Sequence, residues 1–129
     1  MAVKNYMELI VWQKAMELVE TIYAATQRFP SSEMYALSSQ LRRAAVSVPS
    51  NIAEGQGRGS TAEFLRHLYI ARGSLRELET QLLIAQRLAY VEKASAARLV
   101  GGASEVERLI HGLARSLRER MRAGKGGSG

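Results

Sequence analysis

The sequence has no cysteine and no aspartate, two residue types on which many catalytic and metal sites depend. Without cysteine the chain can form no disulfide, no thiolate nucleophile and no cysteine-based zinc site. Every acidic residue is a glutamate, and the two histidines, His67 and His111, have no further ligand at metal-binding spacing. Few groups remain for a nucleophile or a base. We therefore predict that the protein is not an enzyme and that it holds no cofactor and no metal ion.

Proline and long apolar runs are also scarce. The chain contains two prolines, Pro30 and Pro49, and no apolar run approaches the roughly 20 residues that a membrane span needs. The N-terminus lacks the apolar segment and cleavage site of a secretion signal. Because the absence of cysteine fits a reducing compartment, we predict a cytoplasmic protein that does not associate with a membrane.

Apolar residues recur every three to four positions along nearly the whole chain, which is the periodicity of amphipathic helices. With 129 residues, 47% of them hydrophobic, the chain has the size of one domain with one core. The pattern predicts an all-α, antiparallel up-down-up-down four-helix bundle, since short connections make neighbouring helices antiparallel. The predicted helices cover residues 6–27, 32–54, 61–89 and 94–121.

Capping and breaking residues set the expected helix ends. Ser32 is the predicted N-cap of helix two, and Pro49 inside that helix predicts a kink. The glycine-rich segment 55–59 predicts a loop that ends helix two, an interpretation we favour over an anion site. Ser60 and Glu63 have the spacing of a capping box for helix three. The bundle domain should span residues 1–123.

The glycine-rich C-terminus, residues 124–129, predicts a flexible tail. Helix one, by contrast, carries more apolar surface than one interface needs, because it has two adjacent stripes. In a small bundle the second stripe can be buried only by another subunit, which predicts a homo-oligomer. The first stripe contains Leu9, Trp12, Met16, Val19 and Tyr23, and the second contains Val11, Ala15, Leu18, Ile22 and Ala25.

The formal net charge of +6 favours a polyanionic partner such as nucleic acid. The tandem pair Arg42-Arg43 is the clearest candidate, because the planar guanidinium suits phosphate. Cations at the C-terminus have an alternative explanation, since they stabilise the end of a helix. Aromatic residues are few and not interleaved with the arginines, which argues against base stacking. The C-terminal cations are Arg115, Arg118, Arg120, Arg122 and Lys125.

Several segments together resemble the 23S rRNA intervening-sequence proteins, also called four-helix-bundle proteins. The strongest are QLRRAA at 40–45, SVP at 47–49 and NIAEG at 51–55. Further matches are VWQKA at 11–15 and GSLRELE at 73–79. The order and spacing of these segments match up to about Tyr90, whereas helix four matches only in character.

The resemblance implies a bundle that assembles as a ring, commonly a homopentamer. It also implies a relation to the accessory variability protein of diversity-generating retroelements, which has a basic ring surface and is thought to bind nucleic acid and a reverse transcriptase. Within the motif, Ser47, Asn51 and Glu54 share a helix face, and we assign them a structural polar role in preference to ligand contact.

These observations predict a non-enzymatic adaptor that binds RNA or DNA mainly through phosphate. The alternative is a ring-shaped scaffold for another protein, for example an accessory protein of a reverse transcriptase. The expected nucleic-acid-binding residues are Arg42, Arg43, Arg58, Arg66 and Arg72.

Overall fold

Four long helices make up the protein, and the predicted all-α bundle is confirmed. The computed structural model describes residues 5–128, with the backbone alone for 125–128, and contains no strand in this range. Short 3-10 turns precede the first two helices, at Tyr6–Glu8 and Ser31–Glu33. The helices are α1 (Ile10–Thr26), α2 (Leu37–Gly57), α3 (Thr61–Arg87) and α4 (Lys93–Ser128).

Within residues 5–128 each helix packs against two others in the cyclic order α1, α2, α3, α4, and the backbones of helices on opposite corners do not come close to each other. Neighbours run antiparallel. On α3 and α4, for example, Tyr69 meets Arg118 whereas Arg76, further along α3, meets the earlier residue Glu107. The bundle therefore presents separate outer faces, and side chains on the α1–α2 and α3–α4 faces cannot contact one ligand surface together.

The core side of α1 is the second of its two apolar stripes. Residues such as Ala15 and Ile22 are fully buried against the other helices. In the first stripe, Met16 remains 38% exposed and Tyr23 40% exposed. Burial of apolar surface stabilises the fold in proportion to the area buried. The first stripe stays partly exposed, so it contributes less to stability than it would if it were fully buried. The expected double stripe is thus resolved into one buried face and one partly exposed face.

Helix α2 begins later than expected. Ser32 lies in the short 3-10 turn and does not cap the helix. The first helical residue is Leu37, whose N–H donates to the carboxylate Oε1 of Glu33 at 3.2 Å. Pro49 lies inside α2, and the helix continues through it as one element.

The glycine-rich segment 55–59 is not the loop that we expected, because Gly55 and Gly57 lie inside α2. A Cβ at Gly55 would be 2.6 Å from the Cβ of His67, so glycine here permits close packing of α2 against α3. The real turn is shorter, and Gly59 supplies its positive φ of 76°. Ser60 caps α3 as predicted, its Oγ accepting from Glu63 N–H at 3.2 Å.

The end of α3 and the length of α4 also differ from expectation. Ala89 adopts a left-handed φ of 64°, and Tyr90 N–H donates to Ala85 O at 2.9 Å, a Schellman-type ending normally built on glycine. Helix α4 then runs to Ser128, well beyond the predicted end at Met121. A flexible tail over residues 124–129 stays a prediction.

Candidate nucleic-acid interface

The tandem pair Arg42-Arg43 is split between two environments. The Arg42 Nε donates to Thr26 Oγ1 at 2.8 Å, and its guanidinium lies 4.6 Å from the centre of the Tyr23 ring. These contacts tie α2 to α1, so Arg42 is partly buried in an interhelical role. Arg43 is exposed, and its one side-chain hydrogen bond within the described residues is to Ser39 Oγ, at 3.3 Å. One of the two side chains is therefore open to a partner without rearrangement.

The other three predicted arginines each face a carboxylate. Arg58 donates to Glu54 at 2.7 Å, and Arg66 donates to Glu63 at 3.2 Å. The Arg58 hydrogen bond lowers the pKa of the Glu54 carboxyl from its usual 4.5. Because these pairs are exposed, each contributes little to stability and opens at low cost. The fold does not gather the five predicted arginines into one patch.

Arg72 belongs to a pair of α3 arginines that share one carboxylate of α4. Arg72 Nε lies 3.8 Å from Glu107 Oε2, and Arg76 Nη2 donates to the same oxygen at 2.8 Å. Arg76 therefore pairs across to α4 and not with Glu79, three residues further along its own helix. Two positive charges thus meet one carboxylate here, and Glu79, which accepts from Ser104 of α4 at 3.4 Å, adds a second carboxylate one turn further along α3.

A row of basic residues continues this site along α4. Residues 108, 111, 115, 118 and 122 alternate steps of three and four, which places them on one side of a helix. The opposite side contains the buried Val106, Ile110 and Leu117. Arg118 donates to the Tyr69 hydroxyl at 2.7 Å. No ion pair or hydrogen bond links the side chains of Arg108, Arg115 and Arg122 to the part of the chain that the structure describes.

The helix dipole does not explain this row. The favourable effect of cations is confined to the last turn of a helix. Helix α4 ends at Ser128, so Arg108 and Arg115 lie several turns before its end. The side chain of Lys125 lies outside the described residues. We call the combined surface the α3–α4 basic face, and define it by Arg72, Arg76, Arg108, Arg115, Arg118 and Arg122, with Glu107 beneath it.

A chain of polar contacts occupies the other side of α3, between α2 and α3. Ser47 Oγ lies 2.8 Å from Ser74 Oγ, and Asn51 Nδ2 donates to Ser47 O at 2.9 Å. With its amide nitrogen so engaged, Asn51 turns Oδ1 toward His67 Nδ1, 3.0 Å away. His67 Nδ1 must therefore carry the hydrogen and donate. These contacts support the structural role that we predict for Ser47 and Asn51.

Sequence reasoning missed His67, which it treated as an ordinary helix residue. The side chain is 4% exposed and joins the polar chain between α2 and α3. Its Nε2 lies 4.0 Å from Glu54 and 3.4 Å from an Arg66 nitrogen. Gly55 is the sequence feature that could have indicated a buried His67, because a glycine on the facing helix leaves room for the imidazole ring. Glu54 is exposed and lies at the solvent-facing end of this set of polar contacts between α2 and α3.

A groove lies between α1 and α4. Its volume is about 730 Å³, within the range of small-molecule sites. The lining includes three cationic and three anionic side chains above an apolar floor near Leu18 and Gly102. This balance of charge makes the groove a poor site for a polyanion. The charged residues are Lys14, Arg28, Arg98, Glu17, Glu92 and Glu105.

Over the described range there is no cluster of three or more potential metal ligands. No helix in that range has the length and apolar character to cross a membrane. A family model for 23S rRNA-intervening sequence proteins matches residues 7–112.

The chain belongs to the 23S rRNA-intervening sequence protein family. A solved structure from Bacteroides thetaiotaomicron, described as a protein with unknown function from the S23 ribosomal protein family, is similar in fold. It has 23% sequence identity and a TM-score of 0.76, covering 81% of this chain and 98% of its own. At this identity the likeness shows the fold alone. A search of curated proteins returned no significant match.

The family match has a boundary that bears on the site. It includes the polar chain between α2 and α3, together with Arg72, Arg76 and Arg108. It ends before Arg115, Arg118 and Arg122. The C-terminal half of the α3–α4 basic face is therefore a feature of this intervening-sequence protein that family membership does not account for, and its interpretation rests on geometry and charge.

Proposed function

We propose that this intervening-sequence protein is a non-enzymatic adaptor that binds RNA or DNA through the phosphate backbone, using the α3–α4 basic face. The observation that carries the proposal is the row of arginines along α4, three of which have no partner in the described chain. Unpaired, solvated guanidinium groups are available to phosphate without first breaking an ion pair.

The arginines of the face would act in two ways. Arg108, Arg115 and Arg122 would contact phosphates directly, since nothing in the described chain holds them. Arg72 and Arg76 would add positive charge from positions fixed by Glu107. Such contacts fix position on a strand but do not recognise sequence. Arg43 would extend the charged surface from α2, whereas Arg58 and Arg66 would first have to leave their glutamates.

We propose further that the protein assembles as a homo-oligomeric ring, a pentamer, in the cytoplasm. The partly exposed stripe on α1, with Met16 and Tyr23, supports the oligomer because apolar area of this kind is normally covered by a partner. The number five comes from the family resemblance. A ring would repeat the basic face in every subunit, so a modest charge per chain would become a strong field.

The absence of catalysis is part of the same proposal. His67, the buried histidine, donates its Nδ1–H to Asn51, and no hydroxyl among the described residues is hydrogen-bonded to its ring. Ser47, which bonds to the same Asn51, pairs with Ser74. A nucleophile needs an adjacent base in contact with it, and this arrangement does not supply one.

A protein-interaction scaffold is the second candidate, and one observation favours it. The α1–α4 groove has a neutral balance of charge and an apolar floor, which suits an amphipathic helix better than a nucleic acid. A reverse transcriptase of the kind served by the retroelement accessory protein is one such partner. In this case the basic face would be incidental.

Binding of labelled RNA and DNA across a salt series tests the two candidates. We expect binding at about 50 mM salt, with a log–log slope of about −0.9 for each duplex phosphate neutralised. The variant Arg115→Ala/Arg122→Ala should weaken binding and make the slope shallower by about 0.9 per lost contact. The matched control is Arg98→Ala/Arg120→Ala, which removes the same charge from other sides of α4. Absence of binding by the wild-type protein, or equal loss in both variants, would favour the scaffold.

A further inference from the structure

Tyr69 is the one aromatic side chain that the fold places at the α3–α4 basic face. Its hydroxyl accepts a hydrogen bond from Arg118, a residue 49 positions later in the chain. The side chain is nevertheless 45% exposed, so contact with Arg118 holds the ring without covering it. Neighbours on both helices supply positive charge, namely Arg72 on α3 and Arg115 and Arg122 on α4.

No aromatic or cation–π contact within the described chain involves the Tyr69 ring. Aromatic contacts there join Tyr6 to Trp12 and Phe29 to Tyr90, and the single cation–π contact joins Arg42 to Tyr23. Arg118 therefore meets Tyr69 at its hydroxyl and not over its ring. An exposed ring fixed by one edge among cations has the two features that single-strand binding proteins combine, a stacking surface and a charged path for the backbone.

The sequence pattern argued against base stacking, but the fold brings Tyr69 of α3 beside Arg118 of α4. We propose that Tyr69 stacks with an unpaired base, so that the α3–α4 basic face binds single-stranded nucleic acid in preference to duplex. The inference rests on the proposed nucleic-acid binding and specifies its ligand. In a regular duplex the base faces are covered by their neighbours, and a tyrosine on a convex helical surface reaches only sugar and phosphate. A single strand, a loop or a bulge exposes a base to the ring while its phosphates meet the arginines.

The test compares a short single strand with a duplex of the same length, each fluorescently labelled, at one fixed salt concentration. The variants are Tyr69→Leu, which removes the ring but keeps apolar bulk, and Tyr69→Phe, which keeps the ring but not the hydroxyl. We expect Tyr69→Leu to weaken single-strand binding by about 5- to 150-fold, the range expected for one lost base stack. Its affinity for duplex should be unchanged, and Tyr69→Phe should stay close to the wild type on both ligands.

A strand carrying a fluorescent adenine analogue gives a direct readout of stacking. Wild type and Tyr69→Phe should quench the analogue on binding, whereas Tyr69→Leu should not. The matched control is Tyr35→Leu, which removes a tyrosine that is 92% exposed and lies before α2, away from the face. Circular dichroism melting establishes that each variant is folded.

The outcomes separate this inference from the proposed function. If the wild type binds strand and duplex alike and Tyr69→Leu changes neither, stacking is wrong and phosphate binding stands. Equal loss on both ligands would also overturn stacking, because it would assign Tyr69 to the positioning of Arg118. A loss in Tyr69→Phe as large as in Tyr69→Leu would do the same. If the wild type binds neither ligand, both proposals fail.

Discussion

The two sides of α3 use polar residues in opposite ways. Toward α2, His67 is buried and Ser74 half-buried, and they bond to Asn51 and Ser47 of the facing helix. Toward α4, arginines lie at the surface, and Glu107 provides the carboxylate for two of them. A buried polar group must be hydrogen-bonded within the protein, whereas a solvated charge is free to exchange water for a ligand. The first side therefore specifies how the helices pack, and the second is available for binding.

The variant Asn51→Ala, on the α2–α3 side, should cause the largest loss of stability. It removes the acceptor of the buried His67 Nδ1–H, and we expect a loss of about 1–3 kcal/mol in the free energy of unfolding. Ser50→Ala is the control, because Ser50 is exposed and bonds only to the backbone of its own helix. Chemical denaturation measures both. If the two variants lose equally little stability, the polar chain does not hold α2 to α3.

Gly55→Ala is expected to have the next largest effect. The new Cβ would overlap the Cβ of His67, and separating the helices costs about 1–3 kcal/mol, of which up to about 1 kcal/mol is offset by the better helix propensity of alanine. The control is Gly73→Ala in α3, where no atom lies within 4 Å of the new methyl group. That variant should be stabilised. Thermal melting decides, and a stabilised Gly55→Ala would contradict the close packing.

Glu107→Gln, on the α3–α4 side, should have the smallest effect on stability of the three variants. Loss of the partly buried carboxylate should cost about 1 kcal/mol or less, because the pairs with Arg72 and Arg76 are largely exposed. Nucleic-acid affinity should increase, since the face loses its central negative charge.

Fluorescence anisotropy at low salt measures this change in affinity. Glu105→Gln serves as the control, because it changes the net charge equally but lines the α1–α4 groove. An equal increase in both variants would mean that net charge, and not the basic face, controls binding.

The helices themselves were predictable because helix formation depends on residues close together in the sequence. The apolar stripe of α2, with Leu41, Val48 and Ile52, is buried as its spacing predicts, and the Ser60 cap is in place. The predictions were wrong where a tertiary contact overrides the local preference of a residue. Gly55 was interpreted as a helix breaker, but packing against α3 keeps it helical. At Gly73, by contrast, no atom of another helix lies within 4 Å of an added Cβ, so this glycine marks no close packing.

The candidate site was much less predictable. Arg42 and Arg43 are adjacent in sequence, but successive residues of a helix point about 100° apart, so one is bound to Thr26 and the other is exposed. Arg115 and Arg122 were predicted to stabilise the end of α4, because the predicted end at Met121 lies well before the observed end at Ser128. Which arginines are free of carboxylates depends on cross-helix pairs such as Arg76–Glu107, and spacing along one helix does not show them.

The sequence by itself determined the number of helices, their approximate bounds and the family to which the chain belongs. These are properties of periodicity and of a contiguous motif, so neighbouring residues carry them. Only the tertiary structure decided which stripe of α1 forms the core, that His67 is buried against Asn51, and that Tyr69 lies beside Arg118. Each of these depends on side chains from different helices, and their relative rotation follows from packing the whole core at once.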